Sequence, residues 1–442
     1  MDTPTVSMIS LGCAKNLVDS EGMLAALAER GWLIARRAQD AHVVLINTCG
    51  FIDEARAESS GVIGEAVALK AAGVVRAVVV AGCMVQLCFE ALRAQFPEVD
   101  AWVGLVEPET VADACRAALE GTGMVRVPDA CTRALDTGPR LRITPRHYAY
   151  LRIGEGCDNR CHYCQIPTIR GPLRSKPSDR IIREAEQLVA DGARELIVIA
   201  QDTTNYGVDL SGERLLPDLL RRLRAVEGVT WLRLLYTHPA HVTDELIGVL
   251  AEGGPTLPYV DLPVQHANDA ILERMGRGID QAGLRDVIGR LRENIPGVVL
   301  RTSLIVGFPG EGEAEFAELL DFLRAVRFER LGAFVYSFEE GTAAAELGDP
   351  IAPEQKEERR AAVMALQQEM ATEQSEALIG SEIDAVVDGK GYDGEWTGRT
   401  VRDAPDVDGT VRFEDAHLEP GRFGRVHVTE AYGYDLVGRF GS

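Results

Sequence analysis

The sequence predicts an α/β protein in three parts: a doubly wound N-terminal domain, a central partial (β/α)6 barrel and a small C-terminal β-barrel. Three observations predict it. Between residues 5 and 120, apolar strand-like runs alternate with helix-like stretches, and three of the runs end in an adjoining glycine and cysteine. From about residue 143 to 352 a longer strand–helix series begins, which implies a second parallel sheet. After Gly380 the texture changes to short Val-rich runs between Gly, Asp and Pro turns, as in a small all-β unit.

In the first part, the strands are Val6–Leu11, His42–Asn47 and Arg76–Ala81, followed by helices over 16–30, 53–70 and 86–96. The strands end at Gly12-Cys13, Cys49-Gly50 and Gly82-Cys83. In an open parallel sheet the carboxyl ends share one edge, where ligands bind, so Cys13, Cys49 and Cys83 are expected to converge. Buried cysteine is common, but three equivalent placements favour an iron–sulfur cluster with one open iron, separate from the one read below for Cys157, Cys161 and Cys164. Cys88, Cys115 and Cys131 show no such pattern and read as structural.

Residues 1–120 form this domain, and 121–142, rich in Gly, Pro, Asp and Thr, read as a linker. The core, 143–375, has strands over 148–153, 195–200, 230–235, 259–263, 298–306 and 331–335, with helices between them such as 180–190, 216–224 and 313–326. Six strands give an open partial barrel, whose function is expected at the carboxyl ends. Residues 353–378 read as one long helix. The last domain, 376–442, carries strands over 383–388, 395–402, 409–413, 424–429 and 434–439.

The 442 residues carry a net charge of −22, with 46% apolar and 26% charged residues. This is the composition of a globular protein, and its charge disfavours broad binding to nucleic acid phosphates. No apolar run spans a bilayer and Met1–Ser7 lacks a signal-peptide pattern, so a cytoplasmic protein with no membrane contact is expected; a monomer is the separate expectation for its assembly. Thiols stay reduced there, and nine cysteines read better as ligands than as disulfides.

The most informative segment is Gly154-Glu155-Gly156-Cys157-Asp158-Asn159-Arg160-Cys161-His162-Tyr163-Cys164. Three thiolates on one short loop can hold three corners of an iron–sulfur cluster and leave one iron open. Zinc would need a fourth ligand, and His162 lies inside the loop, where it cannot easily turn the same way as its neighbours.

The C-x3-C-x2-C spacing, with an aromatic residue before the last cysteine, resembles the radical S-adenosylmethionine (SAM) enzymes. In that family the open iron binds the amino and carboxylate groups of SAM, and an electron from the cluster cleaves SAM to a 5′-deoxyadenosyl radical. The resemblance implies SAM contacts on the barrel rim. Gly307 and Pro309, in the strand-to-turn run Ser303–Glu311, match an adenine-contacting segment. Gln201 and Asp202 stand where the methionine moiety is usually met. Arg233 could pair with the SAM carboxylate. Tyr163 could contact adenine or be a core aromatic. His266 reads as a hydrogen-bonded structural histidine rather than a proton shuttle.

The whole chain is similar to the methylthiotransferases, which join an N-terminal three-cysteine domain, a radical SAM partial barrel and a C-terminal TRAM barrel. Cys13, Cys49, Cys83, Cys157, Cys161 and Cys164 match the family's six cysteines. Leu11–Glu21 resembles the branch acting on a ribosomal protein; the tRNA-modifying branch usually has a Gln-Met-Asn sequence there. Tyr236-Thr237-His238-Pro239 departs from a Tyr-Pro form, which leaves that loop's role open. The resemblance implies two 4Fe–4S clusters, one making the radical and the other carrying a sulfur that is methylated and delivered. It also implies a flavodoxin or ferredoxin-type electron donor. The implied substrate is an aspartate β-carbon of the twelfth small-subunit ribosomal protein, free or within the small subunit. Residues 381–442 hold thirteen Asp and Glu against seven Lys and Arg. Such a barrel suits a basic protein better than tRNA, with nucleic acid touched only peripherally, around Arg422 and Arg425. Two other readings are a tRNA-adenosine methylthiotransferase and a non-catalytic iron–sulfur or zinc protein that binds the ribosome.

Overall fold

A computed structural model describes residues 3–129, 133–135, 138–391, 394–415 and 417–441; Cys131 lies outside them. The chain forms two compact units. The first comprises Met1–Ile143, Arg152–Asn159 and Cys164–Lys176, and the second Thr144–Leu151, Arg160–Tyr163 and Pro177–Ser442.

The first unit holds a six-stranded sheet of β1 (Thr5–Ser10), β2 (Leu33–Ala35), β3 (Val43–Thr48), β4 (Ala77–Gly82), β5 (Ala101–Val103) and β6 (Met124–Arg126), in the order β2-β1-β3-β4-β5-β6. All pairings are parallel. Successive residues of a strand face opposite sides of a sheet, and both sides here are apolar. Val43, Leu45 and Val79 pack with α1 (Ala14–Glu29) and α4 (Pro108–Leu119) on one face. Val44, Ile46, Val78 and Val80 pack with α2 (Asp53–Ala71) and α3 (Cys83–Gln95) on the other. Each such buried Val or Leu contributes about 1.5–3 kcal/mol. The doubly wound expectation holds, with three short strands added.

One of these, β6, lies inside the stretch 121–142 expected to be a linker. That stretch is also tied down by charge: Arg133 pairs with Asp19 and Glu155, and Arg140 with Glu21, all buried. Its turn-rich composition hid a three-residue strand and two anchoring arginines.

The second unit carries the partial barrel: β7 (Tyr148–Arg152, whose last residue belongs to the first unit), β8 (Glu195–Ile199), β9 (Trp231–Leu234), β10 (Thr256–Asp261), β11 (Val299–Val306) and β12 (Arg330–Val335). Their order in the sheet is the order in the chain. The helix Pro353–Glu376 leads to a closed barrel of β13 (Glu382–Lys390), β14 (Trp396–Thr400), β15 (Val411–Phe413), β16 (Phe423–Tyr432) and β17 (Asp435–Phe440). Its core is Ala385, Val387, Val411, Phe413, Val426, Val428 and Leu436. Closure leaves no unpaired strand edge. Among the described residues, no helix is long and apolar enough to cross a membrane.

Candidate functional site

β1, β3 and β4 are neighbours in register, with Ser10 beside Asn47 and Thr48 beside Gly82. The chain turns outward from β1 in both directions, to β2 and to β3, so the crevice at their carboxyl ends is the sheet's switch point. Cys13 caps the start of α1, Cys49 follows β3, and Cys83 is the first residue of α3. Cys83 is buried, Cys49 half-buried and Cys13 exposed, which makes a floor, a wall and a mouth.

Glycines let the three turns approach. A Cβ on Gly12 would lie 2.7 Å from the Cβ of Cys49, and one on Gly50 would lie 2.7 Å from the Cα of Met84. One on Gly82 would lie 2.3 Å from the Asn47 side-chain oxygen. The thiols are close enough to sense one another's charge. Burial pushes Cys83 up to about 12, and Arg170 opposes this. Burial also raises Cys49, against the N–H of Phe51. Around Cys13, crowding acts upward, but Lys15, Arg170 and the first N–H groups of α1 outweigh it and hold that thiol below its ordinary value.

Polar residues of α1 brace this crevice. The Asn16 amide donates to the carbonyls of Leu11 (2.8 Å) and Thr48 (3.1 Å), and the Asn47 amide to the carbonyl of Asn16 (2.9 Å). Asp19 and Glu155 are fully enclosed among Arg133, Arg152 and Arg170. Burial would raise both carboxyls; the guanidiniums reverse that and keep them ionised. Sequence reasoning missed this network. A signal existed: Asn16, Asp19 and Ser20, at i, i+3 and i+4 spacing, fall on one face of the helix.

The Cys157–Cys164 loop is divided between the units. In the first, Gly154–Glu155 pairs with Arg174–Ser175 as a short antiparallel ribbon. Gly156 follows at φ +73°, where a Cβ would fall 2.0 Å from the Pro172 carbonyl, so only glycine fits. The Asn159 N–H donates to the Cys157 sulfur (3.4 Å) and the Ile166 N–H to the Cys164 sulfur (3.5 Å). In the second unit, Arg277 donates to the Cys161 sulfur (3.3 Å), the Tyr163 hydroxyl (3.4 Å) and the Pro263 carbonyl (2.6 Å). His162 is tied to the backbone of Arg274 (2.8 Å) and Met275 (2.9 Å).

The other expected contacts fall at strand ends of the second unit. Gly307 follows β11 at φ +73° and donates its N–H to Glu311 (2.9 Å). Pro309 accepts from Arg274 (3.4 Å). Tyr163 packs against the cluster of Ile271, Met275, Phe308 and Tyr336. Gln201 is half-buried just past β8. Asp202 accepts from the Thr204 N–H (2.9 Å) and meets the His241 ring at 3.0 Å. Burial would raise its carboxyl, but the His241 and Thr204 hydrogen bonds hold it at about 2. His238 stacks on His241, and burial, then Arg277, holds it at about 2, so it is neutral. His266 is fully buried, accepts from the Asn268 N–H (3.0 Å) and lies 3.3 Å from Glu311, as expected of a structural histidine.

Arg233 is a correction. It is fully buried, donates to Glu195 (2.8 Å) and to the Val401 carbonyl (3.1 Å), and lies over the Tyr259 ring. Glu195 opens β8 and also receives Arg399 (2.8 Å), so Arg233 serves the amino-terminal end of the barrel, away from the rim. Arg277, which sequence reasoning passed over, is a buried cation beside Cys161. The Tyr236–Pro239 loop has a structural task. Tyr236, at φ 60°, takes Asp261 on its N–H (2.9 Å) and Thr203 on its carbonyl (2.9 Å), joining the ends of β8, β9 and β10.

Comparison with known proteins agrees with this layout. Residues 151–323 match the radical SAM superfamily, 5–104 the UPF0004 family and 379–440 the TRAM domain. The fold is similar to that of the radical S-adenosylmethionine methyltransferase TsrM from Kitasatospora setae, with a TM-score of 0.55 at 16% identity, over 88% of this chain and 79% of that one. Ribosomal protein uS12 methylthiotransferase RimO from Pelotomaculum thermopropionicum is 45% identical over 98% of both chains. The protein of the same name from Desulforamulus reducens is 45% identical over 98% of this chain and 99% of its own. With that identity sustained from end to end, the chain belongs to the ribosomal protein uS12 methylthiotransferase family of radical SAM enzymes.

Proposed function

We propose that this chain adds a methylthio group to the β-carbon of an aspartate in the twelfth small-subunit ribosomal protein, using SAM and two 4Fe–4S clusters, in the cytoplasm. The observation that carries the reading is the placement of Cys13, Cys49 and Cys83 after three neighbouring strands at the switch point, a three-thiol set additional to Cys157, Cys161 and Cys164. Radical generation needs one set; sulfur insertion gives the other a purpose.

The residues fit such groups. The crevice is lined by thiols and kept open by glycines that no other residue could replace without a clash. In the second unit, the Arg277 Nε is buried without a hydrogen-bond partner, and its guanidinium has no ion pair among the described residues. A cation so placed suits a carboxylate such as that of SAM. When bound, the clusters supply one-electron reduction and a place for sulfur. Cys157, Cys161 and Cys164 would hold one, and Cys13, Cys49 and Cys83 the other. Arg277 would orient the SAM carboxylate, the Gly307–Glu311 turn and Tyr163 would border the adenine, and Gln201 would border the methionine. Asp202, engaged by His241 and Thr204, would stand beside Gln201 at the methionine end.

The acidic terminal barrel supports a basic protein substrate over tRNA. Of the two arginines considered for RNA contact, Arg425 lies 3.4 Å from both Glu382 and Asp384, and Arg422 lies over Phe440. A low-potential donor of the flavodoxin or ferredoxin type would supply the electron. The test is the intact mass of small-subunit ribosomal proteins from cells with and without this gene. Loss of one methylthio group from the twelfth protein is expected; an unchanged mass there, with a change in tRNA nucleosides, would refute the substrate.

A further inference from the structure

We propose that Arg170 is a positioning residue of the three-thiol centre, donating a hydrogen bond to the Cys83 sulfur and thereby setting the reduction potential of the cluster held there. The proposal rests on the two-cluster reading above. Arg170 closes the short helix Ile166–Arg170 and is 1% exposed. Its Nη2 lies 3.2 Å from the Cys83 sulfur, 3.1 Å from Asp19 and 3.3 Å from the Asn16 side-chain oxygen. Its Nη1 donates to Glu155 at 2.7 Å.

Two carboxylates thus fix the guanidinium plane, and the fixed plane aims one N–H at a cluster ligand. Asp19 and Glu155 are themselves held by Arg133 and Arg152, so the aim does not depend on one contact. Arg170 is also the cation whose charge reaches all three thiols. Hydrogen bonds to ligand sulfur, local charge and burial are the means by which a protein tunes an iron–sulfur potential. All three meet at this one side chain. A positive charge beside the sulfur favours the more negative, reduced cluster, so removing it lowers the potential.

The test uses the full chain with Cys157→Ala, Cys161→Ala and Cys164→Ala, so that iron can load only at the other set. Iron and labile sulfide are counted, and the midpoint potential is read by EPR-monitored titration. With Arg170→Met the potential is expected to fall by at least a tenfold change in the oxidised-to-reduced ratio, about 59 mV for one electron. Arg170→Lys is expected to restore most of it, which a purely structural role would not require. A loaded Arg170→Met protein at the parent potential overturns the proposal. If the methionine variant takes up no iron, Lys and Gln decide: a lower potential or no iron with Gln, and the parent potential with Lys, supports it, while equal potentials overturn it. No iron in the triple-alanine parent refutes the two-cluster reading itself, and the assignment falls with it.

Discussion

Two buried arginines each donate to a cysteine sulfur, Arg170 to Cys83 at 3.2 Å and Arg277 to Cys161 at 3.3 Å, yet they are anchored differently. Arg170 is clamped by Asp19 and Glu155 inside a network of five charges. Arg277 rests on a carbonyl and a phenol, and among the described residues no carboxylate pairs with it. A guanidinium held by carboxylates has much of its charge answered and its position fixed. One without a carboxylate partner leaves more of its charge for an incoming anion. On the reading proposed above, the same local contact serves two purposes: a fixture of a site built around thiols in the first unit, and a receptor for a charged ligand in the second.

Cysteine substitutions test this contrast most severely. Replacing Cys157, Cys161 or Cys164 with Ala is expected to abolish SAM cleavage, measured as release of 5′-deoxyadenosine. Replacing Cys13, Cys49 or Cys83 should leave cleavage intact and stop methylthio transfer. If either set substitutes for the other, the two sites do not have separate purposes.

The arginines come next. Arg277→Met should weaken SAM binding about 10–100-fold by titration calorimetry, the worth of a charge-assisted hydrogen bond of ~1.5–3 kcal/mol. Arg233→Met should leave SAM affinity unchanged and lower stability by about 3 kcal/mol, because it breaks a buried pair with Glu195. Equal losses of SAM affinity in the two variants would erase the distinction between receptor and brace.

Glycine substitutions sharpen the comparison in terms of iron content. Gly156→Ala puts a Cβ 2.0 Å from the Pro172 carbonyl and should cost iron at the Cys157 set alone. Gly12→Ala, which crowds Cys49 at 2.7 Å, should cost iron at the other set alone. Losses at both sites from either change would mean that the cradles are not independent.

The smallest effect concerns pH. His238 has an ordinary value of 6.5 and is held at about 2 by burial, then Arg277. The unfolded chain takes up a proton below pH 6.5 that the folded chain refuses, so stability present above 6.5 is lost as pH falls toward 2. At pH 5 the cost is about 2 kcal/mol. His238→Asn should flatten that part of the thermal-stability profile; an unchanged slope would place the proton elsewhere.

Much of this molecule can be read from its residues. The apolar runs of β1, β3 and β4 and of the six barrel strands are long enough to mark themselves, and the turns of the terminal barrel separate its five strands. Leu33–Ala35, Ala101–Val103 and Met124–Arg126 escape because three residues show no period. The six cysteines stand out by spacing and by their place after strands. The arginines do not. Arg133, Arg152 and Arg170 meet Asp19 across more than a hundred residues of chain, and only the folded sheet brings them together. Arg233 misleads for a related reason: a charged residue on a barrel strand suggests the active rim, but its side chain is taken up by Glu195, at the start of β8, and by the Val401 carbonyl.

The most direct measurement is transfer by a variant that keeps one site and loses the other. Reconstituted wild-type and Cys83→Ala proteins would be given SAM, a low-potential reductant and the twelfth small-subunit ribosomal protein. 5′-Deoxyadenosine and the protein's intact mass would be followed together. The wild type should produce both 5′-deoxyadenosine and the methylthio product, and Cys83→Ala should produce 5′-deoxyadenosine without the mass gain. A methylthio product from Cys83→Ala would contradict the assignment of sulfur delivery to the crevice of Cys13, Cys49 and Cys83.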